Sequence, residues 1–104
     1  MMDTMKWFLD VLRREGYMTI QEKDIALEAV LLEKEEIGMD VYPEEVEEAL
    51  PDPLLFETFY YEEGENDYLG VITMNEAGTR KYIARIFKNG DVLHTWILEG
   101  GQKQ

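Results

Sequence analysis

The sequence predicts an α+β domain, with N-terminal helices plus a short acidic helix packed on an antiparallel four- to five-stranded β-meander sheet. Three observations carry that expectation. Apolar residues repeat at helical spacing in the first third of the chain. From Leu54 onward they alternate with a period of two. Asn89-Gly90 lies between two apolar runs, which is the pattern of a tight hairpin turn.

Met5, Phe8, Leu9 and Leu12 fall at i, i+3, i+4 and i+7, so the spacing predicts an amphipathic helix over 3–15. Asp3 or Thr4 supplies its cap and Gly16 its stop. Ile25, Ala26, Leu27, Ala29, Val30, Leu31 and Leu32 form an apolar run with charged flanks. The run predicts a second helix over 21–36, ended near Gly38. Residues 39–42 are expected as a short strand. Pro43 then opens a short acidic helix over 43–50, at a position where a missing N–H costs nothing. Glu44 and Glu45 occupy its first turn, where the helix dipole favours anions, and Pro51 and Pro53 end it. Strands are expected over 54–62, 68–74, 80–88 and 91–98, joined by "EGEND", "NEAGT" and "NG". Connections this short make neighbouring strands antiparallel. The whole chain, 1–104, forms one domain: a helical segment 1–36, the acidic helix 43–50 and the sheet 54–98.

Both faces of that sheet are expected to be largely apolar. Tyr82, Ala84 and Ile86 alternate with Ile83, Arg85 and Phe87. Val92, His94, Trp96 and Leu98 alternate with Leu93, Thr95 and Ile97. Helices or a second copy of the chain must therefore cover each face in part.

The net charge of −13 is concentrated in one block. Residues 33–67 hold 14 acids and one base, Lys34. Residues 1–32 come to −2 and residues 68–104 to +2. Acidic runs are commonly solvated faces, but those usually mix in lysines. Direct nucleic-acid binding is disfavoured, because phosphates need Lys and Arg. A basic protein, or a surface that normally holds nucleic acid, is what this field attracts. No apolar run is long enough to span a membrane and no signal-peptide pattern is present, so a cytoplasmic location is expected. There are no cysteines, hence no disulfide and no thiolate chemistry.

No catalytic set is apparent. His94 is the single histidine, and serine is absent. "EGENDY" gathers oxygen ligands but lacks the spacing of a calcium loop. The expectation is a non-enzyme without cofactor or metal.

"PEEVEEAL" followed by a meander with turns "EGEND", "NEAGT" and "KNGD" resembles the phage uracil-DNA glycosylase inhibitor family. The resemblance covers residues 36–98. Its matching features are Pro43-Glu44-Glu45-Val46-Glu47-Glu48, "LLFETFYYEE" with Thr58 and Tyr60, "GVIT", "RKYIARIF" with Lys81 and Ala84, and the Asn89-Gly90 hairpin. It implies a small acidic DNA mimic that occupies the DNA groove of uracil-DNA glycosylase in the cytoplasm of a host cell. Carried over by position, Glu45 and Glu48 fall on the helix carboxylates, flanked here by Glu44 and Glu47. Glu36, with one inserted residue, falls at the edge-strand carboxylate nearest the enzyme's active site. Val41, Val46, Ala49, Leu50, Phe56, Ile72 and Ile86 fall on the wall of an apolar cavity that takes up an enzyme side chain. Asn75-Glu76 falls on an acidic turn. The chain departs from the family in a longer N-terminal segment, a smaller residue at Ala49 and a less acidic turn. The alternative expectation is a small acidic regulatory or immunity-type protein that self-associates or docks on a basic protein.

Overall fold

The computed structural model describes residues 3–37, 42, 48 and 50–98. The expected strand 39–42 and acidic helix 43–50 lie outside the described residues, except for Tyr42, Glu48 and Leu50.

One α-helix, α1 (Thr4–Arg14), opens the fold. An Asp3 carboxylate oxygen accepts from the Lys6 backbone N–H at 3.1 Å, satisfying one of the free donors of the first turn. Arg13 and Arg14 sit in the last turn, where the helix dipole favours cations. Gly16, at φ +112°, takes the chain out of the helix.

The second expected helix, 21–36, is not a helix. Its apolar core forms an edge strand, β1 (Ala26–Leu32), between two single 3₁₀ turns, Glu22–Asp24 and Lys34–Glu36. Alanine, leucine, glutamate and lysine dominate this stretch, so local propensity favours a helix. Pairing with the next strand outweighs that preference. Ala26 lies opposite Tyr60 and Leu32 opposite Leu54, in an unbroken antiparallel register.

The remaining strands fall close to expectation: β2 (Leu54–Glu63), β3 (Asn66–Asn75), β4 (Lys81–Lys88) and β5 (Asp91–Ile97). They form one five-stranded sheet in the order β1-β2-β3-β4-β5, every neighbouring pair antiparallel. The architecture is thus α+β. Asn89 takes φ +53° and Gly90 φ +88°, as the two-residue hairpin turn requires.

The sheet has two apolar faces. On the first, Phe8, Leu9, Val11 and Leu12 of α1 pack with Phe59, Tyr68, Ile72, Ala84 and Ile86. Phe8 stacks on Phe59 with ring centroids 5.5 Å apart. Trp7 meets Trp96 edge-on at 5.5 Å. The helix can come this close because Gly70 lies beneath it. A Cβ there would stand 2.7 Å from Phe8 Cδ1 and 2.9 Å from Phe8 Cε1. On the second face, Tyr42, Leu50, Leu54, Phe56, Val71, Tyr82, Ile83 and Phe87 form a smaller cluster. Strict alternation misplaces three side chains. Tyr82 and Val92 stand on the second face and Leu93 on the first, because the register slips between Thr73 and Met74 and between Ile86 and Phe87.

Two substitutions test this packing by chemical denaturation. Gly70→Ala forces a methyl into the Phe8 ring and is expected to destabilise by roughly 1–3 kcal/mol. The Thr73 hydroxyl is fully buried without a hydrogen-bond partner. Thr73→Val removes that cost and is expected to stabilise by about 1 kcal/mol.

Candidate functional site

The site is best built from the second face, where α1 gives no cover. Tyr60, Leu69, Phe87 and Val92 lie opposite one another across β2 to β5. Below them the face is closed by Tyr42 and Leu50, whereas Tyr60 and Val92 at the two ends of this row are exposed. Tyr60, Asp67, Leu69, Val71, Phe87 and Gly90 line a hollow of about 290 Å³. That is near the lower end of pockets that take small ligands, and its lining is apolar apart from the Tyr60 hydroxyl and the Asp67 carboxylate. Partial burial raises the Tyr60 pKa, and the charges of Glu62 and Asp67 add to the effect.

The expected cavity wall is only partly assembled here. Leu50 and Phe56 do lie on the second face. Ile72 and Ile86 do not: both are fully buried beneath α1 on the first face. A strand turns alternate side chains to opposite faces, and Ile72 is the partner of Glu57, not of Phe56. Their sequence neighbours Val71 and Phe87 occupy the second face instead. Val41, Val46 and Ala49 lie outside the described residues.

The described carboxylates gather at the two ends of the sheet. At one end, Glu33, Glu35 and Glu36 follow β1, Asp52 precedes β2, and Glu76 sits in the turn after β3; all are exposed. Leu32, Leu54 and Asn75 are register partners, which brings these groups to the same end. Glu36 is not on an edge strand. Its carboxylate accepts from the Glu33 backbone N–H at 2.9 Å and closes the 3₁₀ turn. The edge strand itself carries one acid, Glu28, exposed and opposite Thr58. Glu48 is exposed, whereas Glu44, Glu45 and Glu47 lie outside the described residues.

At the other end, Glu62, Glu63, Glu65 and Asp67 form the β2–β3 hairpin, with Glu22 and Asp24 just before β1. Asn89 fixes this hairpin to the next one. Its backbone N–H donates to Asp67 O, its side-chain oxygen accepts from Asp67 N, and its amide donates to Asn66 Oδ1, all within 3.0 Å. A second hollow of about 510 Å³ lies here, bordered by Tyr17, Met18, Asp24, Tyr61 and Glu63. The sequence shows this acidic hairpin as "EGENDY", but only the register joins it to residues 22–24 and to Asn89.

Several bases bond within the chain. Lys34, the single base of the 33–67 block, donates from Nζ to Leu50 O at 2.8 Å and from its backbone N–H to Asp52 Oδ1 at 3.1 Å. Ion pairs join Lys6 and Arg13 to Asp10 and Lys88 to Glu15, acids outside that block. His94 is exposed beside Trp96. Among the described residues no group of three His, Cys, Asp or Glu could hold a metal ion, and no helix is long and apolar enough to cross a membrane.

No family model, curated protein or solved structure matches this chain.

The acidic hairpin end makes stability fall at high pH. The Tyr61 hydroxyl donates to Glu63, and this bond, with partial burial, pushes the Tyr61 pKa up to about 12. Tyr68, buried beside Tyr17 and Glu15, is also raised. The native state therefore keeps protons that the unfolded chain releases near pH 10.0. The melting temperature is expected to hold up to pH 10 and fall between pH 10 and about 12. Tyr61→Phe should flatten part of that fall in thermal melts, and phenolate absorbance should show the late titration.

Proposed function

We propose that the protein is a DNA-mimicking inhibitor that occupies the DNA groove of uracil-DNA glycosylase, and that it is not itself an enzyme. One observation carries the reading: 14 acids and one base in residues 33–67, with that base turned inward onto Leu50 O. The acids of this block outnumber its base fourteen to one, and a basic groove would neutralise their field. The resemblance of residues 36–98 to the phage inhibitor family supplies the enzyme's identity. The apolar hollow at Tyr60, Leu69, Val71 and Phe87 supports uptake of an apolar enzyme side chain. In this reading the edge-strand carboxylate is Glu28 rather than Glu36, since the edge strand is 26–32. Glu45 and Glu48 keep the helix role that the resemblance implies, and the site of action is the host cytoplasm.

The test is titration of the protein into a glycosylase assay on uracil-containing DNA. Inhibition is expected at stoichiometric to micromolar protein and should weaken steeply as salt rises. Glu45→Lys with Glu48→Lys should abolish it while the melting temperature stays within a few degrees. Absence of inhibition at micromolar excess ends the reading for this enzyme.

The open second face favours a second reading, a small acidic regulatory or immunity-type protein that self-associates or docks on another basic protein. Tyr60, Val92 and Ile97 are all exposed there. Light scattering separates the two: a stable dimer that covers this face supports the second reading.

A further inference from the structure

We infer that β1 is a docking edge for an extended segment of a basic protein, which adds to the sheet as a sixth strand. Among the described residues no strand pairs with the outer edge of β1. Edge strands in soluble proteins are usually protected by prolines, charged side chains, bulges or short length. The single charge of Glu28 is the one such device in β1. The strand runs seven residues in unbroken register, contains neither Pro nor Lys, and exposes six of its seven side chains. Leu27, Val30 and Leu31 are 51%, 43% and 46% exposed. Leu27 and Leu31 stand on the face that α1 covers, beyond the helix's reach, and Val30 stands on the other. An added strand would therefore find apolar contacts on both sides of its backbone.

Charge selects the occupant. Glu28 stands at the middle of the edge, Glu22 and Asp24 precede it, and Glu33, Glu35 and Glu36 follow it. A strand of about seven residues spans roughly 23 Å, so basic residues at its centre and ends meet acids along its length. A second copy of the chain fits less well. Antiparallel pairing about Ala29 would match Asp24 with Lys34 and Lys23 with Glu35 but oppose Glu22 to Glu36, and it would bring together two chains that each carry a net charge of −13. Strand addition gives affinity through main-chain hydrogen bonds and specificity through alternate side chains. The inference concerns any basic partner and does not rest on the glycosylase reading.

The probe is the capped heptapeptide KVKVKVK, titrated into the ¹⁵N-labelled full chain and followed by NMR. Amide shifts and slowed hydrogen exchange are expected to centre on residues 26–32, and the glutamate counterpart EVEVEVE should not bind. N-methylation of alternate peptide residues removes the pairing donors and should weaken binding at least about tenfold. Glu28→Lys, at an exposed position, should weaken it by about threefold or more. Equal binding of the N-methylated peptide would mean adsorption to acidic turns and overturn strand addition, as would shifts centred on residues 62–67. Sedimentation equilibrium showing a dimer with β1 amides already protected would make a second copy the occupant and overturn the inference.

Discussion

A sheet with apolar side chains on both faces must cover both, and the described part of this chain has a single α-helix to do it with. The contact of α1 with Gly70 decides which face is closed. With no Cβ at that position, the Phe8 ring reaches the backbone of β3, stacks on Phe59 and brings Trp7 against Trp96. Phe8, Leu12, Phe59 and Ile72 then bury completely. On the second face, Tyr42 and Leu50 pack at one end. Farther along the same face, Tyr60 and Val92 stay exposed on either side of Leu69 and the buried Phe87. The apolar hollow lies on this face, between two hairpins that Asn89 holds together.

Lys34 ties the same end of the sheet together. Its Nζ reaches across to Leu50 O while its backbone N–H donates to Asp52, and so it joins the end of β1 to the start of β2. These bonds add to the unbroken pairing of β1 with β2 across the long connection 33–53.

Residues 54–98 were legible because their signals agree. Period two, Gly-containing turns and Asn89-Gly90 all specify a meander, and the four strands fall within two residues of expectation. Residues 21–36 were not legible from their own composition. "IALEAVLLEKEE" favours a helix locally, and what makes it a strand is the open edge of β2, more than twenty residues further along. The described cavity residues divide between the two faces for a smaller reason. A carry-over by position cannot detect a one-residue error, and one residue moves a strand side chain to the other face, which is why Val71 and Phe87 stand where Ile72 and Ile86 were expected. Glu36 lies off the edge strand for the same reason that residues 21–36 are not a helix. Once the strand is 26–32, Glu36 belongs to a turn and closes it.

Splitting the acids between two ends has an electrostatic logic. β2 is ten residues long, so the ends stand roughly 30 Å apart. In water, two unit charges at that distance repel by only about 0.1 kcal/mol, against about 0.6 kcal/mol at 7 Å, and salt removes most of the longer-range part. The chain can therefore carry a large net charge provided each end bears its own local repulsion. Glu62, Glu63, Glu65 and Asp67 concentrate that repulsion on one hairpin, and Glu33, Glu35 and Glu36 on one turn. A basic partner relieves it end by end, so a partner that reaches both ends gains twice. A single strand of DNA rises about 3.4 Å per nucleotide, so roughly nine phosphate steps cover the same span. A surface that binds DNA over most of a helical turn is long enough to engage both poles, with Glu28 on the edge between them, whereas a single cation or a short basic loop is not.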